Sequence, residues 1–199
     1  MTKRWLAIAA VALPALVLSA AGLAHPAFLN ADTAAWWTTL HLLLLPVFPL
    51  LALSVWVLLR DDRTAVGWGG RIAATTYVVF YTALDAIAGI AAGTAVQAGA
   101  QPTAEVVTAV RAVGNQLGVI GGYAFFVAVI LVLGSAWRRG ARGWKLYAAA
   151  PALLAAGFLF TRSHIVWPRG GLTLVAFAIG FVLVELTLRE SSARRSAQQ

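Results

Sequence analysis

The chain has 199 residues, of which 61% are hydrophobic and 11% are charged, and its formal net charge is +8. Soluble domains carry about 25% charged residues, so this composition excludes a soluble globular protein and indicates a protein of the lipid bilayer. The sequence contains no cysteine, which excludes disulfides, thiolate metal sites and thiol redox chemistry.

Six apolar stretches follow one another along the chain. Crossing the hydrocarbon core takes about 20 residues of helix, and the stretches predict spans over residues 5–24, 36–59, 72–97, 113–136, 144–160 and 171–188. No linker or low-complexity tract separates them, so residues 1–199 are expected to form a single integral membrane domain. The predicted fold is all-α, a polytopic bundle of six transmembrane helices.

The first stretch has two interpretations. Its basic start, apolar segment and small residues near Ala24 are typical of a retained helix and also of a secretory signal peptide. Cleavage after Ala24 would leave five spans and a free amino group on His25. The retained helix is favoured, because the apolar segment from Trp5 to Leu23 is longer than the roughly 7–15 residues of a signal-peptide core.

The second stretch contains a histidine followed by two prolines. His41 lies near its start, and Pro46 and Pro49 come shortly after it. Proline removes a backbone donor and kinks a helix, which frees carbonyl groups and opens space near the membrane centre. The pattern predicts a kinked second span with a polar cavity beside His41.

The third stretch carries an acid in the middle of the bilayer. Asp85 lies 14 residues beyond Arg71, which is about 20 Å along a helix. A carboxylate at that depth is costly unless it is paired, hydrated or protonated, so it must face the bundle interior or a cavity. Helical spacing places Tyr81, Thr82 and Gly89 on the same face, and we assign Tyr81 to the cavity together with Asp85.

Glycines recur at four-residue spacing in the third and fourth stretches. Small residues at this spacing let helix backbones approach closely in a membrane, so the third and fourth helices are expected to pack on each other. The glycines assigned to helix packing are Gly89, Gly93, Gly114, Gly118 and Gly122. The same motif can mediate contacts with another subunit or a second copy of the chain.

The segment TRSHIVWPRG joins the fifth and sixth stretches. Arg162 directly follows an apolar run, so its guanidinium either reaches down to Asp85 or extends to lipid headgroups. His164 follows two residues later. We assign Arg162 and His164 to the cavity, and Asn115 of the fourth stretch with them.

The basic residues predict the orientation of the chain. If the N-terminus is cytoplasmic, only Arg111, Arg162 and Arg169 of the 15 Lys and Arg residues lie outside, as the positive-inside rule requires. Both termini are therefore predicted to be cytoplasmic, in a multi-pass protein of the plasma membrane. The basic side favours anionic lipid headgroups, and no nucleic-acid-binding motif accompanies the charge.

Three functional hypotheses follow. The first is a protein that binds or transports a small molecule or cation through an outward-facing cavity at Asp85, His41, His164 and Arg162. The second is a membrane-embedded metal or haem protein, in which His25, His41 and His164 bind copper or haem iron. The third is a structural or assembly subunit. An enzyme is not favoured, because Ser163 and His164 are adjacent rather than part of a spaced triad.

Overall fold

A computed structural model describes residues 2–198. It is 79% helical, and no strand occurs between residues 2 and 198, so the all-α prediction is confirmed. The helices in chain order are α1 (Thr2–Gly22), α2 (Ala34–Leu44), α3 (Val47–Leu58), α4 (Ala65–Leu84), a π-helical segment (Asp85–Ala91), α5 (Ala92–Gln97), α6 (Glu105–Arg138), α7 (Trp144–Phe160) and α8 (Arg169–Ala197).

Five helical stretches are long and apolar enough to cross a membrane, judged by length and composition. They are Arg4–Gly22, Ala34–Leu58, Ala65–Gln97, Glu105–Arg138 and Arg169–Ala197. The sixth predicted span is α7, an apolar helix of 17 residues. Its length is about 25 Å at 1.5 Å per residue, slightly less than the roughly 30 Å of a hydrocarbon core. The chain is a helical bundle compatible with a membrane protein.

Several helices extend beyond the predicted spans. α4 begins at Ala65 rather than at residue 72 and includes a glycine-rich segment. There Gly67 lies against Asp62, where an added Cβ would come 2.8 Å from the carboxyl carbon. α6 begins at Glu105 rather than at residue 113, and α8 continues to Ala197 rather than 188. Hydropathy identifies only the apolar part of a helix, so it misses polar turns at the ends.

The predicted kink in the second span is a complete break. α2 ends at Leu44, and α3 begins at Val47 with Pro46 as its N-cap residue. Proline cannot donate the next backbone hydrogen bond. Beyond the break, the carbonyl oxygen of Phe48 accepts a hydrogen bond of 3.0 Å from the Tyr77 hydroxyl of α4. This hydrogen bond ties the start of α3 to α4.

A π-helical segment interrupts the third span, a feature that the sequence did not predict. Residues Asp85–Ala91 form it between α4 and α5. Asp85, Ala88 and Gly89 are its buried residues, and α2 packs against this segment. A π-helical turn changes the direction of the side chains after it and is frequent at functional sites.

The apolar core lies in the middle of the bundle. α4 and α6 form the most extensive pair, and α8 packs on α1 and α7. Aromatic rings from four helices fill the centre, namely Tyr77, Phe125, Phe160, Phe177 and Phe181, and all are fully buried. These rings make tilted and edge-to-face contacts, which stabilise buried aromatic clusters.

Paired acids occupy the opposite end of the bundle from residues 161–168. Glu185 is fully buried and accepts hydrogen bonds from Arg60 at 2.8 Å and Arg189 at 2.7 Å. Asp62 accepts hydrogen bonds from the hydroxyls of Ser135 and Thr64. Burial alone would raise the pKa of Asp62, but these hydrogen bonds hold it below its ordinary value. The acids at this end are thus satisfied by the protein itself.

Candidate functional site

The three histidines of the chain meet at one place. His25 follows α1, His41 lies in α2, and His164 lies in the segment between α7 and α8. Their ring centroids are 5.2 Å apart for His25 and His41, 5.4 Å for His25 and His164, and 6.0 Å for His41 and His164. One imidazole nitrogen from each ring lies within 4.8 Å of the other two.

One nitrogen of each histidine already has a hydrogen-bond partner. Nδ1 of His25 lies 2.7 Å from the carbonyl oxygen of Pro26, and Nδ1 of His41 lies 2.7 Å from that of Trp37. A carbonyl oxygen only accepts, so both Nδ1 atoms carry the proton and leave Nε2 with a free lone pair when the ring is neutral. Nδ1 of His164 lies 3.0 Å from the hydroxyl of Tyr81. Such partners orient the ring of a metal-binding histidine.

Burial keeps His25 and His164, which lie in connections between helices, neutral. It lowers the pKa of His25, and the hydrogen bond to the carbonyl of Pro26 opposes this only in part. Burial also holds the pKa of His164 well below its ordinary value, with a further decrease from the proximity of His25 and His41. Both rings are therefore unprotonated near neutral pH, the form that binds a metal ion.

Asp85 lies beside the histidine cluster with no partner of its own. It is fully buried, and neither carboxylate oxygen has a hydrogen-bond partner within the described chain. Oδ1 lies 3.8 Å from Nε2 of His41. The alternative in which Arg162 pairs with Asp85 is not seen. The guanidinium of the exposed Arg162 instead lies over the ring of Phe158, 4.8 Å from its centroid.

These residues line one cavity of about 320 Å³. Its walls include His25, His41, His164 and Asp85, and also Tyr81, Asn115 and Arg162 from the sequence prediction. Most buried side-chain atoms that lack a hydrogen-bond partner in residues 2–198 belong to residues that line it: His25 Nε2, Trp37 Nε1, both Asp85 oxygens and Ser163 Oγ. Buried polar groups normally have partners, so their concentration here makes this cavity the candidate site of the described chain.

Two of the predicted packing glycines shape this cavity. Gly89 faces His41, and Gly93 faces Trp37 and Thr38, so both pack on α2 rather than on α6 as the sequence suggested. The third helix presents them to α2 because the π-helical segment precedes Gly93 and contains Gly89. Without a Cβ at Gly89, the ring of His41 can approach the helix backbone.

The other three glycines all lie on α6. A Cβ added at Gly114 would come 2.7 Å from the backbone nitrogen of Ala88, and one at Gly118 would come 2.7 Å from the Leu84 side chain. These two glycines bring α6 against the third span, as expected. Gly122 instead meets Thr161 at the end of α7, so it supports the segment that carries His164.

Sequence reasoning missed several residues of the cavity, among them two aromatic or basic residues and a serine. Trp37, Ser163 and Arg111 all line it, but tryptophan and arginine near a membrane boundary are ordinarily interface residues. Ser163 was noted only as a neighbour of His164. A helical wheel could have placed Trp37 beside His41, because the two are four residues apart, and their rings do stack with centroids 4.9 Å apart.

Comparison with known proteins gave no match among protein-family models, curated proteins or solved structures. The function therefore has to be inferred from the chemistry of the site itself.

Proposed function

We propose that this is a membrane protein that binds a divalent transition-metal ion through His25, His41 and His164. The observation that carries the proposal is the convergence of three imidazole nitrogens within 4.8 Å. Zn–N bonds measure about 2.0–2.1 Å, so ligand nitrogens around a tetrahedral ion are roughly 3.4 Å apart, and a pair at the 4.8 Å limit would have to close by about 1.5 Å. The three rings would therefore move towards one another when an ion binds.

The hydrogen bonds of the three rings support this proposal. With Nδ1 held by the carbonyl oxygens of Pro26 and Trp37, His25 and His41 each offer Nε2 as the ligand atom, and His164 does the same in the tautomer whose Nδ1 donates to the Tyr81 hydroxyl. Nε2 of His25 is buried and has no other partner among the described residues. A bound ion would satisfy that atom and supply the positive charge that the buried carboxylate of Asp85 lacks.

Asp85 joins the cation-binding hypothesis to the metal hypothesis. Both hypotheses include His41 and His164, and the cavity contains the acid and the histidines together. Asp85 either completes the coordination of the ion or holds a water on it. In its ionised form, the carboxylate would favour a cation over a neutral ligand.

The geometry favours a single ion over haem. The three imidazole rings are packed against one another and against Trp37, at centroid distances of 4.9–6.0 Å. A porphyrin needs a wide flat slot beside its axial histidine, whereas these rings fill the space around the common point. Zinc and copper are the ions that three neutral imidazoles suit best.

Metal titration of the purified full chain tests the proposal. The protein should carry an affinity tag without histidine, because the chain's own three histidines are then the only ones present. After treatment with a chelator, calorimetry should show one Zn²⁺ or Cu²⁺ ion bound per chain. Mg²⁺ should not bind, because it prefers oxygen ligands. A chain that binds neither Zn²⁺ nor Cu²⁺ stoichiometrically would refute the metal site.

We further propose six spans with both termini in the cytoplasm of a plasma-membrane protein. The positive-inside bias supports this orientation, and the contacts of α1 support its retention in the mature chain. The Ser19 hydroxyl donates to the carbonyl of Gly171, and the Trp167 indole donates to that of Ser19. These hydrogen bonds make α1 part of the bundle, whereas a cleaved signal peptide would be absent from it.

Reporter fusions test this topology. Enzyme reporters fused after Ala100 and after Pro168 should be active on the outer side, whereas reporters after Asp62 and Gly140 should be active in the cytoplasm. The histidine cavity then opens on the outer half of the bilayer. The inverse pattern would place the cavity on the cytoplasmic side and would refute the orientation.

A further inference from the structure

The cavity contains unsatisfied donors as well as metal ligands. The indole nitrogen of Trp37 and the hydroxyl of Ser163 are both buried and lack partners in the described chain, and both residues line the cavity. Trp37 is 8% exposed. An indole N–H can only donate, and leaving a buried donor without an acceptor is costly. These two groups require an acceptor that the protein does not supply.

Two arginines on the same cavity also lack an acidic partner. Arg111 and Arg162 line it, and neither forms an ion pair with the carboxylates of residues 2–198. Asp85 is the single acid of the lining, and the charge of a bound metal ion would more than offset it. Four donors, two of them cationic, suit an oxygen-rich anion such as a phosphate group.

The wall of the cavity continues along the outer surface of α6. Arg111, Asn115, Val119, Tyr123 and Val127 are spaced four residues apart, so they form one stripe on this helix. Arg111 and Asn115 line the cavity with Val119, which is 44% exposed, and the apolar exposed surface continues through Tyr123 and Val127. The stripe is thus polar at the cavity and apolar farther from it. This order matches that of a lipid, which has a polar headgroup and apolar acyl chains.

We propose that the cavity binds a membrane lipid with an anionic phosphate headgroup. Arg111, Arg162, Trp37 and Ser163 hold the phosphate oxygens, one of which occupies an open position of the metal ion, while the acyl chains lie along Val119 and Tyr123. This inference rests on the proposed metal site. Catalytic metal sites with three protein ligands leave such a position open, and a cavity of about 320 Å³ has room for several waters of roughly 30 Å³ each.

Titration with short-chain lipids tests the inference. The delipidated full chain in detergent micelles, with and without Zn²⁺, is titrated with dihexanoyl phosphatidylglycerol, dihexanoyl phosphatidylcholine and inorganic phosphate. The anionic lipid should bind best. Removing Zn²⁺ should weaken its binding at least tenfold, because a ligand to the phosphate is lost.

Arginine variants give the matched comparison. The double variant Arg111→Gln/Arg162→Gln should weaken binding of phosphatidylglycerol roughly 30-fold, since each cationic group near the surface is worth several-fold, and should leave Zn²⁺ affinity within threefold. Arg169→Gln is the control, because Arg169 is exposed at the start of α8 and does not line the cavity. It should bind the lipid like the unaltered protein. Ser163→Ala removes only a hydroxyl group, and it should weaken the binding of phosphatidylglycerol without weakening that of Zn²⁺. This smaller change tests the proposal even if the double variant does not fold.

The results separate the two proposals. A protein that binds Zn²⁺ but not phosphatidylglycerol would overturn the lipid site and leave the metal site intact. Inorganic phosphate binding as tightly as phosphatidylglycerol would overturn the lipid as the occupant. If removing Zn²⁺ left the affinity for phosphatidylglycerol unchanged, the proposed role of the metal ion in lipid binding would be overturned. Equal losses in the Arg169→Gln control and the double variant would show a general charge effect and would also overturn the site.

Discussion

Replacing His41 with glutamine is expected to reduce Zn²⁺ affinity at least about 100-fold, because even second-shell changes at metal sites cost about 10- to 100-fold. His41 is 3% exposed, is fixed in α2, and has Nδ1 held by Trp37, so no neighbouring side chain can replace its Nε2. Glutamine is neutral and of similar size, and the fold should persist. Calorimetry on the metal-free variant measures the loss.

The matched control for this prediction is Asn115→Ala. Asn115 lines the same cavity, but it is exposed and belongs to α6, and an amide is a poor zinc ligand. The control should keep the affinity of the unaltered chain. His25→Gln and His164→Gln should each cause losses similar to that of His41→Gln. Full Zn²⁺ affinity in all three histidine variants would mean that the cluster is a packing feature.

Substituting Gly89 with alanine is expected to disturb both stability and the site. A Cβ at this position would overlap the His41 ring and lie 2.9 Å from the His41 Cβ, which is attached to the α2 backbone and cannot rotate away. Overpacking of this kind costs about 1–3 kcal/mol. We expect a lower midpoint of thermal unfolding in detergent together with weaker Zn²⁺ binding, because His41 must move.

Gly134→Ala is the control for Gly89→Ala. Gly134 lies within α6, and a Cβ there would meet no heavy atom within 4 Å. Alanine in the interior of a helix is about 0.5–1 kcal/mol more favourable than glycine, so this variant should be neutral or slightly more stable. Equal unfolding midpoints for the two variants would contradict the close packing of α2 on the π-helical segment.

The sequence was sufficient to predict an all-helical bundle and to place the three histidines at one end of it. The length of an apolar stretch identifies a span, and the basic residues distinguish its two ends. The three histidines, His25, His41 and His164, could therefore be predicted to lie towards the same side of the membrane. Their convergence could not be predicted, because it depends on the order of helices around the bundle. That order is set by packing between helices far apart in sequence, such as α1 on α8.

The surroundings of Asp85 were predicted only in part. Its depth in the third span showed that it faces inward, and that inference needs only the rise per residue of a helix. His41 and Arg162 were both assigned to the cavity with Asp85, and of these two it is His41 that lies beside the acid, with its Nε2 3.8 Å from Asp85 Oδ1. Tyr81 and Gly89, which α-helical spacing places on the face of Asp85, do line the cavity with it, whereas the packing of Gly89 and Gly93 on α2 depends on which helix lies opposite that face.

The three histidines come from three separate parts of the chain: the connection after α1, helix α2, and the connection before α8. In a protein without cysteine, an ion held by them would act as a cross-link, closing a long loop between His41 and His164 and thereby reducing the entropy of the unfolded chain. This cross-link would be reversible and would depend on the concentration of free metal ion. A ligand that binds only the folded state stabilises it by about 2.7 kcal/mol when the free ion concentration is 100 times the dissociation constant. The lifetime of the folded protein in the membrane would thus be set in part by the metal content of the compartment that the cavity faces.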